Sequence, residues 1–334
     1  MALVIAVAGC TASPPASLPE PTGPVALVVD TDVAPDDLIA IAFLMGAPQV
    51  EVSAITVSGT GEAHCDAGVA IVLGLLERLE APDVPVACGR EEPLAGDHAF
   101  PELFRQNADQ AAGLELPTTT RQPAEGNAVS LIEETLAGAD SPIRVLTLGP
   151  LTNLAEALQS DPALAADIES VFIMGGAVEV PGNVAGSPDA PADNTSAEWN
   201  LYVDPTAAAI VFEAGLSIYL VSLDGTNQIP ITPTFVQQVD DRARAAGLEV
   251  LAELFERNSY MTEGNYYLWD ATAAISAAGY AIGEYTPARL QVDTGEGPTS
   301  GATQLVDGEP NARYLSSAQA RVVEGLMLRV LNAE

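Results

Sequence analysis

From residue 25 onward, short runs of almost unbroken apolar residues alternate with longer stretches whose apolar positions recur at helical spacing. The runs at 25–30 (VALVVD), 50–57 (VEVSAITV), 84–88 (VPVAC), 143–148 (IRVLTL), 168–174 (IESVFIM) and 216–223 (LSIYLVSL) are rich in β-branched side chains. Continuous hydrophobicity of this kind marks strands covered on both faces, hence a parallel sheet. Helical patterns at 36–46, 62–80, 127–138, 151–160 and 205–214 fall between them. The alternation predicts an α/β fold: a doubly wound, mostly parallel sheet with helices on both faces. The final third changes character. Residues 248–263 and 269–279 read as helices, 289–315 as short stretches broken by Gly and Pro, and 316–332 as a closing amphipathic helix. With no internal repeat and no linker after residue 24, residues 25–334 are expected to form one domain.

In such sheets ligands bind outside the carboxyl ends of the strands. Polar loops bearing glycine or aspartate stand at several of those ends: DTDVAPDD after the first strand, SGTGE after the second, GPLTN after the fourth, GGAVEVPGN after the fifth and DGTNQ after the sixth. Charge sharpens the picture. The chain carries 46 acidic residues against 12 basic ones, for a formal net charge of −34. All of the basic residues are arginine. A nucleic acid or an anionic bilayer would be repelled by that surface, whereas a neutral or cationic small ligand is admitted.

The first ten residues, MALVIAVAGC, resemble the end of an export signal, and VAGC resembles the lipobox of bacterial lipoproteins, with Cys10 as the lipidated residue. The Pro/Ser-rich TASPPASLPEPTGP that follows reads as an extended tether. Residues 1–24 are therefore expected to anchor the domain to the outer face of a cell membrane, with a cytoplasmic protein as the alternative. The remaining cysteines, Cys65 and Cys88, show no metal-ligand spacing and are open to pairing or to burial as thiols.

The chemistry concentrates in DTDVAPDD, where Asp30, Asp32, Asp36 and Asp37 crowd into eight residues. Like charges that close need a cation among them. An EF-hand loop starting at Asp30 would require Gly and Glu where Pro35 and Ile41 stand, and so is excluded. A metal-dependent aspartyl phosphatase would fit DTD, but it lacks the usual lysine, and two further aspartates would repel a phosphate. The third chemistry is a calcium site that readies water against a neutral substrate.

DTDVAPDD, together with TLGPLTNLAEAL, MGGAVEVPGN, AEWNLYVDPTAA and WDATAA in that order, resembles the nucleoside hydrolases, of the inosine–uridine-preferring and purine-specific types. The resemblance runs from about residue 25 to the C-terminus and implies hydrolysis of a ribonucleoside to ribose and free base. It implies Asp32 as general base and calcium ligand, with Asp37, the Leu148 carbonyl and Asp270 as further ligands. Asp36 would bind a ribose hydroxyl. Thr60, Asn183, Glu198 and Asn200 correspond to ribose-holding positions, and Asp30 orients the loop.

Trp269 stands where many members carry His, as in the purine-specific type. It is therefore expected to stack on the departing base, in which case purines are preferred. A second stacking residue is not evident, although Phe100, Phe104 and His98 occupy the expected loop. The family's usual Pro-Gly is replaced by Val33-Ala34, so strain is expected if the turn needs positive φ at residue 34. Residues 186–197 form a polar insertion that could cover the site. A nucleoside-binding lipoprotein without turnover is the reading from another class, and a homo-oligomer is compatible with the sequence.

Overall fold

The computed structural model describes residues 22–187 and 190–332. The expected signal and most of the tether lie outside them. The strands are β1 (Val25–Thr31), β2 (Val50–Val57), β3 (Val86–Cys88), β4 (Ile143–Thr147), β5 (Ile168–Met174), β6 (Ile218–Val221), β7 (Gly283–Ala288), β8 (Leu290–Val292), β9 (Thr303–Leu305) and β10 (Ala312–Ala318). Eight of them form one sheet in the order β3-β2-β1-β4-β5-β6-β10-β7; β8 and β9 make a separate antiparallel pair. Every pairing in the main sheet is parallel except β10 with β7.

Both faces are covered, because successive side chains of a strand point opposite ways. Leu27 and Val29 of β1 belong to one apolar cluster, with helices Pro35–Gly46, Ala246–Arg257, Trp269–Ala277 and Ala320–Val330. Val28 between them belongs to the other, with Ala128–Ala137, Thr152–Ser160 and Pro205–Glu213. The same alternation recurs at Val145 and Leu146 on β4, and at Ile173 and Met174 on β5.

The order of strands fixes where a ligand can enter. The chain steps outward from β1 to β3, then returns to place β4 on the other side of β1. The connections after β1 and β4 therefore part in opposite directions and leave a crevice at the carboxyl ends of those two strands. The first ends in Asp30-Thr31-Asp32 and the second in Leu148-Gly149.

Two C-terminal expectations are corrected. Residues 316–318 are the end of β10, and the closing helix starts at Ala320. Helix Ala246–Arg257 stops short of the expected 263 because the Asn258 side chain donates to the carbonyls of Ala112 and Leu254. The short helices Glu102–Ala108 and Trp199–Val203, helix Pro233–Arg242 and strand β7 had no sequence counterpart. Cys65 and Cys88 form a disulfide, which ties the start of helix Cys65–Arg78 to the end of β3. The positive φ expected at Ala34 lies one residue earlier: Val33 has φ 63° and Ala34 φ −63°. A fully buried, β-branched residue in that conformation is rare, and the Thr31 hydroxyl accepts its N–H at 3.1 Å.

Candidate active site

The crevice opens as a cavity of about 780 Å³. Its lining joins Asp32, Asp36, Asp37 and Asp270 with the aromatic side chains of Phe100, Phe104, Trp199, Tyr260, Tyr266, Tyr267 and Trp269. Helix Pro35–Gly46 starts at the acidic group, where carboxylates favour its positive end. Asp37 folds back over the turn. It accepts the Thr31 hydroxyl, the N–H of Asp32 at 3.2 Å and that of Ala34 at 3.1 Å. Asp270 arrives from the first turn of helix Trp269–Ala277, whose buried small residues pack on helix Pro35–Gly46.

Carboxylate oxygens of Asp36, Asp37 and Asp270 lie within 4.8 Å of one another. Asp32 adjoins them, and its side chain is wedged between two glycines: a Cβ on Gly149 would come within 2.6 Å of the Asp32 Cβ, and one on Gly61 closer still. The Glu62 N–H donates to Asp32 Oδ2 at 3.2 Å. Burial first, and then the neighbouring negative charges, push the carboxyls of Asp32 and Asp270 well above the usual range, and that of Asp36 up to about 7. Asp30, directly below, is raised to about 7 by burial, opposed by hydrogen bonds from Thr56 at 2.6 Å and Asn153 at 2.8 Å.

A buried set of four mutually repelling carboxylates, with no arginine in the cavity lining, fits a divalent cation. All available donors are oxygens, as hard cations prefer. The sequence reading of Asp32, Asp37, Asp270 and the Leu148 carbonyl is compatible with this geometry, and Asp36, expected on ribose, joins the tightest group. Its Oδ1 also accepts the Tyr266 hydroxyl at 2.8 Å. The Leu148 carbonyl lies at the cavity and accepts from Asn200 Nδ2 at 2.7 Å.

The expected ribose-holding residues cluster around the short helix Trp199–Val203. Glu198 caps its start, accepting the N–H groups of Asn200 at 3.0 Å, Leu201 at 3.3 Å and Gly176 at 2.9 Å. Burial nevertheless raises its carboxyl to about 7. Asn183 Oδ1 accepts from the Trp199 N–H at 3.1 Å. Asn183, Glu198 and Asn200 all line the cavity. Thr60 does not: its hydroxyl is buried in a chain that runs from Ser58 through Thr60 to Thr152 and on to Asp204. That placement differs from the expected substrate contact: the Thr60 hydroxyl donates to Thr152, whose own proton goes to Asp204, and its other neighbour is the Ser58 hydroxyl.

Trp269 lines the cavity in contact with Tyr266, their ring centroids 4.6 Å apart. A second indole in the lining, absent from the sequence reading, is Trp199, which stacks on Phe100 at 5.0 Å and meets Phe104 edge-on at 6.3 Å. Its place between Glu198 and Asn200 was the available signal. His98 is stacked on Tyr202 outside the cavity lining, and His64 is paired with Asp109. Asn107, Asn265 and Glu62 are cavity residues that sequence reasoning missed, whereas Asn227, in the DGTNQ loop after the sixth strand, lines the cavity as well. Asp224 does support it, accepting the N–H groups of Val178 and Glu179.

A switch-point cavity that joins a carboxylate cluster to aromatic side chains fits an enzyme that takes a neutral ligand with a flat ring. The chain belongs to the inosine-uridine preferring nucleoside hydrolase family, whose model matches residues 27–326. It is 35% identical, over 69% of its length and 70% of the relative's, to the pyrimidine-specific ribonucleoside hydrolase RihA of Salmonella schwarzengrund (strain CVM19633). Among solved structures it is similar to a plant nucleoside hydrolase, PpNRh1 (TM-score 0.81, 27% identity, covering 93% of this chain and 100% of that one). It is likewise similar to the purine-preferring ribonucleoside hydrolase of Gardnerella vaginalis (TM-score 0.77, 26% identity, covering 92% and 98%).

Proposed function

We propose that the chain is a calcium-dependent ribonucleoside hydrolase that prefers purines and works outside the cytoplasmic membrane. The observation that carries the reading is the buried group of Asp32, Asp36, Asp37 and Asp270 in a cavity that is also lined by aromatic side chains. Asp36, Asp37, Asp270, Asp32 and the Leu148 carbonyl would hold the ion; bound there, calcium supplies a Lewis acid that lowers the pKa of water. Asp32, fixed between Gly61 and Gly149, accepts the proton of the attacking water. Asn183, Glu198 and Asn200 orient the ribose. Positive charge that develops on the sugar ring as the base departs is stabilised by the surrounding carboxylates. Attack opposite the base inverts the anomeric carbon.

For the base, RihA is named pyrimidine-specific and the Gardnerella enzyme purine-preferring. Purine preference is supported here by the size of the cavity and by two indoles in its lining, Trp199 and Trp269, each a broad π surface for a two-ring base. A chromatographic panel of nucleosides with and without calcium tests both points. Inosine and guanosine should be cleaved only with the ion, and Asp32→Ala should retain nucleoside without releasing base. Faster cleavage of uridine or cytidine would refute the purine assignment. Unchanged nucleoside over hours with the parent chain would favour a binding protein instead. Export is supported by the pairing of Cys65 with Cys88, since disulfides persist in oxidising compartments. Mass spectrometry should find Cys10 lipidated at the mature N-terminus, and an unmodified Cys10 on a cytosolic protein would remove that part.

A further inference from the structure

Arg105 is buried at 8% exposure, yet it is absent from the ion pairs among the described residues and from the cavity lining. A buried guanidinium must spend its donors on something. Here Nη1 donates to the Gly61 carbonyl and Nη2 to the Gly59 carbonyl at 3.2 Å. Nε donates to His64 Nε2 at 3.4 Å. Because an arginine can only donate, His64 Nε2 accepts, and its Nδ1–H is directed at Asp109 Oδ2, 2.8 Å away. Asp109 Oδ1 takes the main-chain N–H of His64 at 2.8 Å, which closes the loop on itself.

The segment held in this way is the one that fixes Asp32. Gly61 abuts the Asp32 side chain, the Glu62 N–H donates to Asp32 Oδ2, and the Ala63 N–H donates to the Asp32 carbonyl at 2.9 Å. The guanidinium also offsets the negative charge around Glu62. Arg105 itself rides on helix Glu102–Ala108, whose Leu103, Phe104 and Asn107 face the cavity.

We propose that Arg105 is a positioning residue of the hydrolytic site: by gripping the Gly59 and Gly61 carbonyls it presses the 59–63 loop onto Asp32 and couples that carboxylate to the aromatic wall. The proposal rests on Asp32 as the proton acceptor. The test compares Arg105→Met and Arg105→Lys with Arg78→Met, which removes an arginine paired to Glu253 away from the cavity. Amide hydrogen exchange of residues 59–64 is read beside kcat and KM for inosine and uridine.

A misplacement near 1 Å costs about 100-fold, so Arg105→Met should lower kcat on the order of 100-fold, with a smaller change in KM and faster exchange confined to that loop. Arg105→Lys, which retains the charge and can reach one carbonyl, should recover part of kcat. Arg78→Met should change neither quantity. Loss of activity with loop exchange unchanged would overturn the proposal, as would a freed loop with kcat intact. An equal loss of kcat in Arg78→Met would also overturn it. Because exchange is read independently of turnover, an inactive parent would refute the hydrolase reading while leaving the grip on the loop separately measurable.

Discussion

Asp32 is pinned from two sides by residues that have no side chain, and Gly149→Ala tests the pin from the β4 side. An added methyl would stand 2.6 Å from the Asp32 Cβ and 2.8 Å from its Cγ, where ordinary contacts begin near 3.4 Å. Something must therefore move by about 0.8 Å, the difference between 3.4 and 2.6 Å. The Leu148 carbonyl beside it is tied to Asn200, and the Leu148 N–H to the Asp30 carbonyl, so the aspartate yields more readily than the strand end. Overpacking of this size costs about 1–3 kcal/mol of stability. A near-ångström shift of a proton acceptor costs on the order of 100-fold in rate, about 2.7 kcal/mol. Steady-state release of base from inosine and uridine should show kcat/KM reduced by about that factor. Gly61→Ala, closer to the same side chain, should do worse. Gly74→Ala, whose new methyl meets only the flexible Leu116 side chain at 3.2 Å, serves as the control and should leave turnover intact. A Gly149→Ala enzyme that cleaves nucleosides within threefold of the parent would show that the position of Asp32 does not govern the chemistry.

Three further outcomes are expected. In chelator-treated protein the raised carboxyls of Asp30, Asp36 and Glu198, each near 7, hold protons that an unfolded chain releases around pH ~4. That stability is present at acid pH and is lost as pH rises through 7, so the thermal midpoint should fall between pH 5.5 and 8, and calcium should restore it most at the upper end; a midpoint that rises over that interval contradicts the cluster's electrostatics. Cys88→Ser opens a 23-residue loop, for which chain entropy gives a loss of about 3 kcal/mol, read by urea denaturation; an unchanged midpoint would mean that the bridge contributes nothing. Thr60→Val breaks a buried hydroxyl chain and should cost about 1–3 kcal/mol of stability with KM for nucleosides unchanged, whereas a raised KM would return Thr60 to the substrate.

What was legible in the sequence was local. Strands covered on both faces announce themselves as unbroken apolar runs, and the observed β2 and β5 coincide with the expected 50–57 and 168–174. The carboxylates of the β1 turn were legible for the same reason: four of them are compressed into one segment. Other features needed partners distant in the chain. Strand β7 is exposed along much of its length and carries a proline, so it lacks the apolar signature, and only pairing with β10 makes it a strand. Thr60 aligned with a substrate contact, but Ser58 and Thr152 claim its hydroxyl. The grip of Arg105 on Gly59 and Gly61 spans more than forty residues and involves main-chain carbonyls, which leave no mark on composition. Strain at Val33 rather than Ala34 depends on how Thr31 and Asp37 fold the turn.

The charge of the chain and the chemistry of its site have a common logic. A phosphate-bearing substrate would need cations at the cavity, and the lining offers none. A nucleoside is neutral in the ground state and becomes positive at the sugar only as its bond to the base breaks, so a carboxylate-rich cavity discriminates in favour of the transition state rather than the substrate. Such a cavity cannot stand unaided, because its buried carboxylates repel one another and take up protons, which removes the negative charge the reaction uses. A divalent ion held by Asp36, Asp37 and Asp270 would resolve that conflict by offsetting the repulsion without protonation of the carboxylates. Arg105 contributes from behind the loop, as a cation that stabilises the arrangement without entering the cavity, where it would oppose the charge developing on the ribose.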